Sequence, residues 1–181
     1  MIERPNGIEP SLVAGGVRVE AGSMETVLRF FQEDQWYYKI IERNLVRTGY
    51  RGERGTWVCF ASVIEDPPRF RFVSDMGLNI PPASRAAVME YITRVNWGLP
   101  IGNFEMQVES GAVRFKTSIE LNDQPLTLPM VRSLVYINVH TMDHYFPGVV
   151  SILTCGISPT AALAKIESLP SDNPRICFEH D

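Results

Sequence analysis

The chain has 181 residues, the size of one domain, and folding at that length buries roughly 70% of the chain's surface without disulfides or metals. Its 17 Lys and Arg are scattered among 21 Asp and Glu for a net charge of −4, so no basic tract is present to neutralise phosphates and nucleic acid is not an expected partner. No run approaches the ~20 apolar residues of a membrane span, and Met1 to Glu20 lacks the charged-then-apolar layout of a signal peptide.

Residues 1–22 carry Gly and Pro and few large apolar side chains, and are read as a loosely ordered leader to a domain over 23–168. Ser23 can cap a first helix, with Glu25 in its first turn and Met24, Val27, Phe30 and Phe31 at helical spacing up to about Asp34. Four strands are expected next: Trp36 to Ile41, Asn44 to Tyr50, Thr56 to Ile64 and Arg69 to Ser74. The third is apolar on both alternating sets, which predicts a central strand covered at least partly on both faces. Gly49, Gly52 and Gly55 punctuate the turn before it, and Asp66-Pro67-Pro68 forces the turn after it. Pro81 and Pro82 open a second helix with Val88, Tyr91, Ile92 and Val95 as its stripe and a Glu90–Arg94 pair on the far side, ended by Gly98, Pro100 and Gly102.

Phe104, Met106 and Val108, then Val113, Phe115, Thr117, Ile119 and Leu121, alternate with polar residues on either side of Ser110-Gly111. This pattern predicts a two-residue-loop hairpin over 103–121, with Met106 opposite Phe115 and Val108 opposite Val113 on the inner face, and Glu105 opposite Lys116 on the outer. Thr127 can cap a long third helix whose core side runs through Val131, Leu134, Val135, Asn138, Met142, Tyr145 and Val149, with Pro147 expected to kink or break it near Phe146. Met130, Tyr136 and Ile137 fall opposite that stripe, so the helix is apolar nearly all round and calls for cover by a partner, a second subunit or the chain's own tail. Ser158-Pro159 starts a short final helix, and 169–181 is read as a tail. The order α-ββββ-α-ββ-α(-α) contains no β-α-β alternation, which predicts an α+β fold with an antiparallel sheet and helices packed mainly on one face.

Chemistry-bearing motifs are sparse. His140-Thr141-Met142-Asp143-His144 sets two histidines at helical i,i+4 spacing, as in zinc proteases, but Thr141 stands where the general-base Glu would be and no third ligand is evident, His180 lying in the tail. Both histidines are expected to face solvent. A metal-assisted hydrolase built on His140, Asp143 and His144 is therefore the alternative reading, and the expectation is no metal and no cofactor. No G-x-S-x-G elbow is present. Cys59, Cys155 and Cys177 are odd in number and without a CxxC pair, which fits free thiols in the cytoplasm. The glycine run joins strand to strand, so it is a turn rather than a phosphate loop.

The order of elements, with Trp57 and Phe60, Pro81-Pro82 with Arg85, Asn96-Trp97-Gly98-Leu99-Pro100, Gly102-Asn103-Phe104-Glu105, Gly111 to Phe115, Asp143-His144-Tyr145-Phe146-Pro147, and Gly156 with Ser158-Pro159 and Ala162, resembles the YbjN family of bacterial proteins. That family carries a sensory transduction regulator label, and its fold is similar to that of type III secretion chaperones. The resemblance covers roughly Met24 to Ile166. It implies a homodimer with a chaperone-like grip on other proteins and brings no catalytic residues. The expected function is a non-catalytic protein-binding or regulatory module, with a structural scaffold subunit as a further alternative. Trp97, Tyr136 and Ile137 are the expected contacts with a partner or second subunit.

Overall fold

The computed structural model describes residues 22–122 and 124–168; the expected leader, apart from Gly22, and the expected tail, with Cys177 and His180, lie outside the described residues. α1 (Ser23–Glu33) buries Thr26, Val27, Phe30 and Phe31. Ser23 was expected as its cap, but Gly22 holds that position and makes no side-chain cap bond, so Ser23 is the first helical residue. Gln35, at φ 57, turns the chain into a meander of β1 (Tyr38–Glu42), β2 (Leu45–Arg51), β3 (Thr56–Glu65) and β4 (Pro68–Asn79). β4 runs beyond the expected Ser74 because Gly77, at φ 70, absorbs a register shift between Asp75 and Asn79 and lets pairing resume. α2 (Pro82–Gly98), β5 (Asn103–Gln107), β6 (Ala112–Glu120), α3 (Leu128–Cys155) and α4 (Pro159–Glu167) follow.

The six strands are antiparallel neighbours in the order β1-β2-β3-β4-β6-β5, so β1 and β5 are the edges. Inner-facing Val46, Trp57, Cys59, Ala61, Phe70, Phe72, Val113 and Phe115 form the core with the helices. α3 packs on β4 and β6 and is flanked by α1, α2 and α4. α2 buries the expected Val88, Tyr91, Ile92 and Val95, and Arg94 meets Glu90 at 2.8 Å on its outside.

The β5–β6 register differs from expectation. Val113, not Phe115, faces Met106; Phe104 faces Phe115, and Gln107 faces Ala112. The displacement is by an even number of residues, so each side chain keeps its face of the sheet. The loop is longer because the β4–α2 connection holds it: the Ile80 amide donates to Gly111 O at 2.8 Å, and Arg85 donates to Ile80 O and Val108 O. Gly111 sits at φ 76 with its Cα against Ile80, where a Cβ would collide with the backbone. Val108 belongs to this loop and is exposed rather than facing the core.

Thr127 caps α3 by accepting from the Met130 amide. The helix does not break at Pro147; it continues to Cys155 and ends at left-handed Gly156. Beside the proline, Gly148 lets Tyr91 approach so closely that a Cβ would strike its hydroxyl, and that hydroxyl donates to Tyr145 O at 2.9 Å. At mid-helix, buried Asn138 donates to Phe72 O and Phe115 O (3.1 Å each) and accepts from Ser74 Oγ (2.6 Å), pinning α3 to β4 and β6. Burial pushes the Cys59 thiol, beside Ser74, up to about 11.

Candidate functional site

His140 and His144 do not face solvent as expected: His144 is buried and His140 half-buried. The side of α3 that carries them is covered by Tyr50 of β2 and by the β2–β3 loop. His140 stacks on Tyr136 (5.8 Å between centroids) and meets Tyr50 edge-on. Burial lowers its pKa, against a smaller upward pull from Asp143. Asp143 accepts from the amides of Glu53 and Arg54, both at 3.0 Å, so its carboxylate ties off the β2–β3 loop. Gly52 is required there because a Cβ would collide with that carboxylate. The glycine run is thus a turn wrapped around an aspartate of α3. Among the described residues no group of three or more His, Cys, Asp or Glu side chains is placed to hold a metal.

Of the three residues expected to contact a partner, Tyr136 is half-buried in an aromatic cluster with Phe30 and Trp36. Its hydroxyl donates to Asp34, which also binds Arg132 at 2.7 Å; the Arg132 hydrogen bond holds the Asp34 carboxyl below its ordinary range. Ile137 is half-buried. The helix that reads as apolar all round is therefore largely covered from within the chain. Trp97, in contrast, is 94% exposed at the end of α2. The structure does not bring the three together: Tyr136 and Ile137 sit mid-way along α3, and Trp97 sits in the last turn of another helix.

Asn96, the residue before Trp97, turns inward. Its carboxamide accepts from the Phe104 amide at 2.8 Å and donates to Phe104 O at 3.0 Å. Phe104 is on the edge strand β5, so one side chain occupies both backbone groups of a residue that would otherwise invite another strand. Arg114 (2.7 Å) and Lys116 both bind Glu105 on β5 from β6. Burial alone would raise the Glu105 pKa, but hydrogen bonds from Lys116, Arg114 and Asn103 hold it at about 2.

The other edge is unlike this. No described strand lies beyond β1, and its large apolar residues are in solvent: Tyr37 at 95%, Ile40 at 55% and Ile41 at 44%. Successive strand residues point to opposite faces, so Ile40 and Ile41 expose apolar surface on both sides of one edge. Its pairing with β2 shifts between Ile40 and Glu42. The sequence signal was present, since 36–41 is aromatic and β-branched except for Lys39, a pattern that reads equally as a largely buried strand.

The sequence profile of a family described as "Putative bacterial sensory transduction regulator" matches residues 23–150. The chain belongs to the YbjN family. Among solved structures it is similar to YbjN from E. coli, at 10% identity and a TM-score of 0.49 over 68% of this chain and 87% of that one. It is also similar to a chain of the HopA1–SchA chaperone–effector complex, at 13% identity and a TM-score of 0.40 over 63% of this chain and 84% of that one. No curated protein matches the sequence. Family membership fits a regulatory or binding module. No helix among the described residues is long and apolar enough to cross a membrane.

Proposed function

We propose that this YbjN-family protein is a non-catalytic binding module with a chaperone-like grip, which takes an extended segment of another protein as an added strand along β1. The observation that carries this reading is the asymmetry of the sheet: Asn96 occupies both outward backbone groups of Phe104 on β5, while β1 is left with Tyr37, Ile40 and Ile41 in solvent. Strand addition gains affinity from main-chain hydrogen bonds, which tolerate varied sequences, and from pockets or apolar contacts for alternate side chains. A photo-crosslinking residue in place of Ile41 should capture a partner from the host cell, and one in place of Gln107 on β5 should not. Equal capture from both positions contradicts the reading. Capture from neither favours a scaffold subunit, and capture only after deletion of residues 2–21 assigns the edge to the chain's own leader.

The same reading holds the protein as a homodimer of the cytoplasm; the dimer is supported by the exposed Trp97 and, four residues on, Ile101 at 42%. Tyr136 and Ile137 remain candidates for that contact through the part of each side chain still in solvent. Light scattering should return twice the 20.4 kDa chain mass at micromolar concentration, falling in Trp97→Ser; a single-chain mass for the wild type contradicts the dimer.

A further inference from the structure

The cations that are scattered in sequence are gathered by the fold. The outer face of the sheet carries Val58, Phe60 and Ile64 along β3, with Val73 opposite Phe60 on β4, interrupted by Ser62, whose hydroxyl accepts from Arg71 at 3.1 Å. On one side lie Arg47 and Arg51 of β2, and beyond them Lys39, opposite Arg47 on β1. On the other side lie Arg69 and Arg71 of β4. None of these five cations forms an ion pair with a described residue. The Nε of Arg69 is buried and makes no hydrogen bond within the described residues, although Glu120 faces it on β6. Arg114 and Lys116, also on this face, are already bound to Glu105, and Asp75 is its remaining carboxylate in these strands.

We propose that this face binds an acidic amphipathic helix of a partner protein. The proposal rests on the reading that the chain binds proteins, but not on β1 as the place. Val58 to Ile64 spans about 20 Å of strand, the length of about 13 helical residues. The flanking cation columns lie ~4.8 Å to either side of β3, within reach of carboxylates bordering a helix's apolar stripe. A helix satisfies its own backbone, whereas an extended segment lying on a sheet face would leave its amides without partners. A second copy docked through the same face would set these cations against themselves. Single-stranded nucleic acid needs aromatic platforms for successive bases, and Phe60 is the lone aromatic among the outward residues of β2, β3, β4 and β6.

The test is fluorescence anisotropy with a labelled model helix bearing a Leu stripe flanked by Glu, its counterpart with Lys for Glu, and oligo-dT. The Glu helix should bind, with affinity falling at least tenfold between about 50 mM and about 300 mM NaCl. Arg47→Glu with Arg71→Glu should lower that affinity at least tenfold and favour the Lys helix. Phe60→Ser should weaken binding without charge change, and thermal unfolding of each variant should confirm that it folds. Ile40→Ser with Ile41→Ser should leave Glu-helix binding as in the wild type, whatever it does to partner capture at β1. The proposal is overturned by a Lys helix that binds the wild type as well as the Glu helix does. Oligo-dT binding more tightly, and lost in the charge reversal, would make the face a nucleic-acid surface and overturn it too. A wild-type dimer that the charge reversal converts to a monomer would assign the face to self-association. Glu-helix binding lost in the Ile40/Ile41 variant but kept in the charge reversal would overturn the face while leaving protein binding in place.

Discussion

β1 and β5 are both five-residue edge strands of one sheet, and they are finished in opposite ways. β5 follows a helix, so the last turn of α2 can reach it: Asn96 fills both backbone groups of Phe104, and Glu105 is held by two cations of β6. β1 precedes its hairpin partner, no helix among the described residues lies at its outer side, and three large apolar residues at and beside it are exposed. Exposed edges pair with other chains unless something blocks them, and this difference is why the proposed strand addition is assigned to β1 rather than β5.

The largest effect should come from unsealing β5. Asn96→Leu leaves the Phe104 amide and carbonyl without their partners in a half-buried setting, and should cost about 2–3 kcal/mol by urea denaturation. It should also add self-association through β5; an unchanged midpoint and unchanged monomer–dimer balance would break the contrast between the edges.

Glu105 gives the next effect, with a pH signature. Its folded pKa of about 2 lies below the ordinary value of 4.5, so its stabilising contribution is present above about pH 4.5 and is lost as pH falls toward 2. Glu105→Gln should therefore cost about 1–2 kcal/mol at pH 7, allowing for solvent screening of half-exposed Arg114, and little at pH 2. A difference between wild type and variant that stays constant across that window would contradict the assignment.

At β1 the expectation is reversed. Ile40→Ser and Ile41→Ser should each change stability by less than about 0.5 kcal/mol, because the side chains are exposed, while partner capture falls. Large destabilisation would mean that the edge is structural. The smallest expected effect is on thiol labelling. Exposed Cys155 should react with a disulfide reagent in the native state, whereas buried Cys59, its thiol pushed up to about 11, should react only on unfolding, and the β1 variants should not change this.

The element order, the antiparallel sheet and the stripe of α2 were legible in the sequence because period-2 and period-3.6 patterns report which face is buried. The β5–β6 register was not. Alternation fixes the face but is blind to an even slip, and the decisive contacts, Arg85 to Val108 O and Ile80 to Gly111, come from a connection distant in sequence. The same limit misplaced His140 and His144. A helical wheel shows angular position, whereas Tyr50 of β2 and the loop joining β2 to β3 decide what covers this side of α3. The role of Asn96 was not legible either, since a polar residue near a helix end reads as solvated until the strand beside it is known.

The most direct measurement is hydrogen exchange on the protein with a captured partner bound. Amides of residues 38–42 should gain protection on binding, while the Phe104 amide should already be protected in the free protein and stay so. New protection at residues 103–107 with none at 38–42 would contradict β1 as the recruiting edge.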